Sequence, residues 1–595
     1  MSLELAIKEG IVLGLKKLYD VDAEIEKTVL QPTKKEFAGK FTFVTFPYAG
    51  RLKKAPEAIG AELGQFLQDT ISDVSGYNCL KGFLNLEISD SSWVDTFKNI
   101  LADPKFGFST ETKENVMVEY SSPNTNKPLH LGHLRNNFLG YSISQIMRAD
   151  GYQVTMANLI NDRGIHICKS MLAYTKFGSS ETPESAGIKG DHLAGKYYVE
   201  FDKAYKKEIA TLVAQGIEEE QAKKEAPLML ETQEMLVKWE NNDPEVRALW
   251  TKMNNWVYDG FNATYKKIGV EFDQFYYESD TYLLGKDIVE EGLEKKVFFK
   301  KDDNSVWADL ENQGLDQKLV LRGDGTSVYI TQDMGTADLK YKDYAVSKSI
   351  YVVGNEQDYH FDVLKKILTK LEKPYAEGIY HMSYGMVDLP SGKMKSREGT
   401  VVDADDLVQE MIETATARTK ELGKIDDFTE EEANELYRNL ALGALKYFIL
   451  KVDPKKRMLF DPKESIDFQG NTGPFIQYTH ARICAIIRKA KEDGIDPSNT
   501  DFSSDIALSE TEIEIITILS NFPKKVNEAA TKYSPATLAA YVYELAKTYN
   551  RFYAETPIFK SEGELLNFRV AFCATVARTI NEGMRLLGIV VPERM

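Results

Sequence analysis

Pro123-Asn124-Thr125-Asn126-Lys127-Pro128-Leu129-His130-Leu131-Gly132-His133 sets two histidines and a glycine where a strand hands over to a helix. Upstream, Asn115-Val116-Met117-Val118-Glu119-Tyr120 has the pattern of a short buried strand. Downstream, Leu134, Phe138, Ile143, Ile146 and Met147 recur at helical spacing until Asp150-Gly151 ends the run. Tyr152 to Ile160 is the next strand, so the whole is a β-loop-α-β unit with its polar loop at the strand's carboxyl end. A nucleotide suits that position. Helix-start N–H groups favour negative charge, Gly132 lets a base or phosphate approach the main chain, and imidazoles can donate to phosphate oxygens. A His-x-Gly-His tetrapeptide alone arises by chance, and a lone histidine is more often structural. Here two of only seven histidines share one loop.

At 595 residues the chain is too long for a single core, so several domains are expected. A hydrophobic share of 43% with 28% charged residues fits a globular protein, and no run approaches the roughly 20 apolar residues that cross a bilayer. The start, Met1 to Glu9, carries acid early and lacks the apolar core of a signal peptide, so a cytoplasmic protein is expected. Cys79, Cys168, Cys484 and Cys573 show no C-x-x-C spacing, which argues against a zinc knuckle or a disulfide framework. A net charge of −18 excludes a protein that coats nucleic acid indiscriminately, but not one that grips a particular RNA through local basic patches.

Residues 1–108 read as a small α/β module, with Lys40 to Phe46 and Lys81 to Ile88 as strands and Arg51, Lys53 and Lys54 as a basic patch. Phe83 and Asn85, two apart, would present a ring and an amide on one face; simple core packing of Phe83 is the plainer reading of the pattern. From about 170 to 318 long charged helices, most simply solvated faces, interrupt the sheet of a region spanning 109–452. That sheet is expected to resume with Leu319-Val320-Leu321, Ser327-Val328-Tyr329-Ile330-Thr331 and Ser349 to Val353, with Asp324-Gly325 as a hairpin turn. Gly354 to His360 follows as a polar cluster at a strand end. Further on, Lys393, Lys395 and Arg397 alternate with Ser396 and two glycines, a loop that could neutralise a departing pyrophosphate. Residues 453–595 are helical, with Tyr478, His480 and Arg482 on one helix and Tyr549, Phe552 and Tyr553 on another, rings that suit splayed bases or a bundle core equally.

Two stretches carry a family resemblance. Glu119-Tyr120-Ser121-Ser122-Pro123-Asn124, Lys127-Pro128, His130-Leu131-Gly132-His133 and Leu134-Arg135 closely resemble the first signature of class I aminoacyl-tRNA synthetases, and within them the arginyl-tRNA synthetases. Lys393-Met394-Lys395-Ser396-Arg397 looks like the second, Lys-Met-Ser-Lys-Ser, with Ser396 in place of the second lysine. Arginyl enzymes lacking that lysine commonly carry one ahead of the histidine signature, where Lys127 stands. The resemblance implies catalysis by His130, Gly132, His133, Lys127, Lys393, Lys395, Ser396 and Arg397, with His130, Gly132, His133 and Lys393 on ATP.

A guanidinium needs planar acidic acceptors, which makes Glu119, Asp333 and Tyr329 candidates; Tyr329 and Asp333 share a face only if the strand end turns helical there. The family's arginine ligands map to Glu119, Asn124, Tyr329, Asp333 and Gln357, its outer-corner tRNA contact to Phe83 and Asn85, and its anticodon pocket to Tyr478, Tyr553 and Met595. The implied fold is multidomain. A doubly wound, Rossmann-like α/β catalytic domain with an inserted segment lies between a small amino-terminal α/β domain and a carboxyl-terminal all-α bundle. The implied activity is ATP-dependent arginine–tRNA ligation by a monomer. Its partners would be arginine, ATP with Mg²⁺ and arginine tRNA, with neither a protein-held metal nor a membrane. Another class I synthetase, a His-x-Gly-His nucleotidylyltransferase and a non-catalytic RNA-binding relative are the rival readings.

Overall fold

The computed structural model describes residues 3–34, 36–178, 180–388, 402–421 and 427–595. The amino-terminal module packs α1 (Leu3–Tyr19), which buries Ile7, Ile11 and Leu15, against the rest of its layer. Its strands are β1 (Leu30–Pro32) and β2 (Phe41–Val44), then, beyond α2 (Pro56–Thr70), β3 (Val74–Leu80) and β4 (Phe83–Ile88). They pair antiparallel in the order β1-β2-β4-β3.

The central domain opens with β5 (Asn115–Glu119), α3 (Leu131–Ala149) and β6 (Gln153–Ile160). Helices α4 (Ile165–Phe177), α5 (Gly190–Ala214) and α6 (Pro244–Ile268) follow, and then β7 (Gln274–Tyr277). Three short strands, β8 (Phe298–Lys300), β9 (Val306–Ala308) and β10 (Lys318–Leu321), precede α7 (Tyr329–Tyr344) and β11 (Lys348–Gly354). Next come α8 (Asp358–Lys370), β12 (Ile379–Tyr384) and β13 (Val387–Asp388). Five of these strands form a parallel sheet in the order β12-β11-β5-β6-β7. The chain leaves β5 towards one edge and returns to its other side at β11, so the carboxyl end of β5 is the switch point at which such sheets take ligands.

Helix α9 (Glu430–Leu450) leads to β14 (Met458–Leu459), which pairs with β13. Helices α10 (Gly473–Glu492), α11 (Pro535–Glu555) and α12 (Gly563–Leu586) are the long members of the terminal bundle. The buried residues of α9, α10, α11 and α12 share one apolar core with those of α3 and β5, so the bundle packs on the central domain through α3.

Three expectations need correction. Ser327 to Thr331 is not a strand: α7 begins at Tyr329, because Thr331 Oγ1 accepts the Val328 N–H and closes the first turn. Leu319 to Leu321 is a strand, but it pairs antiparallel with β9 in a separate three-stranded sheet. The stretch 170–318 is therefore two additions with a sheet strand, β7, between them. No described helix is long and apolar enough to cross a membrane.

Candidate functional site

The site is built on the first turn of α3. The His130 backbone is extended and its Nδ1 accepts the Gly132 N–H at 3.1 Å, while His133 Nδ1 accepts the His130 N–H at 3.1 Å. Each ring thus spends Nδ1 as an acceptor, which places the proton of the neutral imidazole on Nε2, where it can donate outward. The rings lie 3.9 Å apart, and a Cβ on residue 132 would come within 2.9 Å of the His130 ring, so only glycine lets the imidazole fold over the helix start. Burial, helped by the Lys127 charge, lowers the pKa of His130 to about 4 and that of His133 well below the usual imidazole range. Both rings are neutral donors at physiological pH.

The loop that delivers them is strained. Ser121 and Ser122 take left-handed conformations with φ of 74° and 44°, costly for side-chain-bearing residues and tolerated where surroundings over-determine them. Here Asn136 on α3 accepts the Ser121 N–H at 2.6 Å, and Asn158 on β6 accepts that of Ser122 at 3.1 Å. Asn124 is exposed at the site, and Lys127 is half-buried, close enough for its charge to act on His130, His133 and His166.

Lys393, Lys395, Ser396 and Arg397 lie outside the described residues. Both flanks of that stretch, however, are fixed to α3. Arg135, fully buried, donates to the carbonyls of Met386, Pro454 and Lys456, and burial draws its pKa down to about 10. On the other flank the Leu131 N–H donates to Val402 O at 2.9 Å and the Ala404 N–H to Leu129 O at 3.0 Å, with His130 and Asp403 paired between them.

Acids stand at the ends of β5 and β7 and in the second turn of α7. Glu119, buried at the end of β5, sits 2.5 Å from Lys340 Nζ, a buried cation on α7 that also lies over the Tyr351 ring. Asp333 pairs with His360 Nε2 at 2.6 Å, which raises the imidazole pKa. Burial raises the pKa of the Tyr351 hydroxyl most, and the charges of Glu119 and Asp333 both add to the rise, so both carboxylates lie near that hydroxyl. Tyr329 and Asp333 lie one helical turn apart on α7; Tyr329 is 78% exposed and Gln357 is exposed at the end of β11. Sequence reading missed Lys340 and also Glu278, at the end of β7. Burial pushes the Glu278 carboxyl up to about 7 against the pull of Arg163, with Asp162 and Asp333 adding to the rise. The Glu278 carboxylate accepts no hydrogen bond among the described residues.

One group of metal-ligand type, Asp191, His192 and Asp405, occurs among the described residues. Lys189 Nζ already lies 2.6 Å from Asp405 and 3.3 Å from Asp191, so the ammonium fills the place of a cation.

Two further surfaces concern the predicted RNA contacts. Phe83 is exposed beside Phe46, their ring centroids 5.5 Å apart. Asn85 does not join it: the amide is buried, accepting from Thr42 Oγ1 at 2.6 Å and donating to Asn78. In the bundle, Tyr478, Tyr553 and Met595 line one cavity of about 370 Å³ with Arg482, Arg488 and Arg594. The Arg482 guanidinium lies 4.9 Å from the Tyr478 ring and 5.0 Å from that of Tyr553. Tyr549 and Phe552 are core.

Residues 96–461 match the family model for the catalytic domain of class I (R) tRNA synthetases, and residues 476–595 match the DALR anticodon binding domain. The chain is 55% identical over 596 residues to an arginine–tRNA ligase of Amoebophilus asiaticus and 55% identical over 598 residues to that of Bacteroides thetaiotaomicron, with 100% of both partners covered in each case. The fold is that of the Thermus thermophilus arginyl-tRNA synthetase, with a TM-score of 0.77, 24% identity and 100% of both chains covered. With its neutral imidazole pair and its acid-lined strand ends in place, the chain belongs to the arginyl-tRNA synthetase family of class I aminoacyl-tRNA synthetases.

Proposed function

We propose that this chain activates L-arginine with ATP and transfers it to arginine tRNA. An arginine carboxylate oxygen attacks the α-phosphorus in line, the bond to the β-phosphate oxygen breaks, and pyrophosphate leaves. The 2′-hydroxyl of the terminal adenosine then attacks the carbonyl carbon of the arginyl-adenylate, AMP leaves with the bonding pair of the acyl–oxygen bond, and the hydroxyl proton passes by way of a phosphate oxygen to solvent. His130 and His133 donate through Nε2–H to the phosphate oxygens as charge builds, needing no reorganisation because the helix backbone fixes both rings. Mg²⁺ enters with ATP and supplies charge on its phosphates.

The observation that carries this reading is the pairing of residues 402–404 with 129–131, which ties one end of the basic stretch to the imidazoles while Arg135 ties the other. Lys393, Lys395 and Arg397 are read as the charge on the leaving pyrophosphate, with Lys127 in the role that Ser396 cannot fill. Glu119, Asn124, Tyr329, Asp333 and Gln357 are read as the arginine pocket, Tyr478, Tyr553 and Met595 as the anticodon pocket, and Phe83 as an outer tRNA contact.

Pyrophosphate exchange across the twenty amino acids, with and without arginine tRNA, is the test. Exchange should appear with arginine alone and depend on the tRNA. Lys127→Ala should slow it about a hundredfold, the scale of losing one charge-stabilising donor. A variant slowed less than twofold removes Lys127 from the mechanism.

A further inference from the structure

Beyond the turn at Leu587-Gly588 that closes α12, the tail belongs to no helix or strand; it buries Ile589 and Val591 and turns Val590 outward. Among the described residues no strand lies beside it. Side chains of three helices answer its carbonyls in turn instead. Ser142 on α3 donates to Leu586 O at 3.1 Å, Lys446 on α9 to Gly588 O at 2.5 Å, and Gln477 on α10 to Val590 O at 2.7 Å. His480 Nδ1 lies 3.0 Å from Pro592 O, and Arg488 donates to Glu593 O at 2.9 Å. The last residue, Met595, is in the wall of the cavity with Tyr478, Arg482 and Tyr553.

Lys446 shows that these ties are more than packing. Its ammonium is buried, has no ion pair among the described residues, and is held over the Phe138 ring at 5.5 Å, where burial pulls its pKa to about 7. An apolar residue would fill the same volume without that desolvation cost, so the tie to Gly588 O is what the lysine supplies. Gly588 adds a further contact: its φ is +71°, and a Cβ there would sit 3.0 Å from the Tyr141 ring. Phe138 lies one turn ahead of the adjacent Tyr141 and Ser142 on the helix whose N-cap is His130 and whose first turn carries His133.

We infer that residues 586–595 form a strap through which the cavity at Met595 sets the placement of α3, with Ser142 and Lys446 as positioning residues for the catalytic imidazoles. The inference rests on reading that cavity as the anticodon pocket. The same ten residues form one wall of the pocket and the rear contact of the catalytic helix, so a base that displaces Met595 loads a continuous set of hydrogen-bonded and packed groups ending on α3.

The test compares full-length wild-type enzyme with Lys446→Met, using arginine tRNA transcript and the same transcript with its anticodon bases exchanged, and reads kcat and KM separately. Wild-type kcat should fall at least about tenfold on anticodon exchange, a coupling within the ordinary allosteric range. In Lys446→Met that kcat ratio should shrink to about threefold or less while the KM ratio persists, because the pocket is intact and only its link to α3 is cut. Ser142→Ala, a minimal change of volume, should move the ratio the same way and stands in if the lysine variant fails to fold. An undiminished kcat ratio in both variants overturns the strap. Loss of the KM ratio together with the kcat ratio also overturns it, since the variants would then have deformed the pocket. A wild-type kcat indifferent to the anticodon overturns the pocket reading along with the strap.

Discussion

At the start of α3 the imidazoles proposed to meet ATP are held by backbone no more than three residues away, and they are neutral. Among the acids of the site, two are instead held by a partner brought from another element: Glu119 on β5 by Lys340 on α7, and Asp333 on α7 by His360 on α8. The proposed nucleotide end is therefore preorganised by the local chain, and the proposed amino acid end by the tertiary fold. A guanidinium bound at these acids, as proposed, would meet carboxylates already engaged with Lys340 and His360, and would have to share or replace those partners.

The contrast also explains what was legible. The β-loop-α unit, the histidine pair and its glycine could be read because the helix start dictates their geometry within four residues. Lys340 could not: nothing in Asp338-Leu339-Lys340-Tyr341 distinguishes a buried counter-ion from a solvated lysine, and only the fold brings it to Glu119. Val328-Tyr329-Ile330-Thr331 misled because its β-branched and aromatic residues favour strands, while Thr331 serves as a helix-start acceptor there. Gln274 to Tyr277 was passed over although its aromatic run after Gly269 is a strand signal, because the charged helices before it set the expectation of a continuous insertion. Asn85 shows the limit of facing arguments, since a polar residue at strand spacing can equally serve a buried hydrogen-bond network.

The strongest attack on the contrast is Lys340→Met. If the acid end depends on tertiary pairing, removing the cation leaves Glu119 buried and unpaired and should cost about 3–5 kcal/mol in urea unfolding. The double variant Lys340→Met with Glu119→Gln should recover most of that loss. Saturating arginine should raise the Tm of the single variant more than that of wild type, because the guanidinium then supplies the missing charge. A cost below about 1 kcal/mol would mean that Glu119 finds solvent, and the two ends would no longer differ.

A second prediction sets the two ends against each other by pH. His130 falls from about 6.5 unfolded to about 4 folded, so the unfolded chain binds more protons between those values and stability rises with pH across that window, by roughly 3 kcal/mol. His133 acts in the same direction. His360 is raised by Asp333, so its contribution is complete below about 6.5 and is lost as pH climbs through its folded value. Tm measured from pH 4 to 9 should show His130→Asn flattening the acid limb and His360→Asn flattening the alkaline limb. Changes on the same limb would show that both histidines obey one kind of environment.

The smallest effect sharpens the comparison away from the cleft, where one strand of the amino-terminal module offers both kinds of residue two positions apart. Phe83 is exposed against Phe46, and its loss removes a stacking surface without opening the core. Phe83→Ala should raise the KM for tRNA roughly fivefold, the lower end of what one stacked base contributes, and leave the Tm unchanged. Asn85→Ala should do the reverse, since Thr42 and Asn78 lose a buried partner at a cost of about 1–3 kcal/mol in stability. Aminoacylation kinetics beside thermal melts separate the two. If Asn85→Ala instead raises the KM with no change in Tm, its amide reaches RNA after all, and burial at that strand is no guide to which residues serve the fold and which serve the partner.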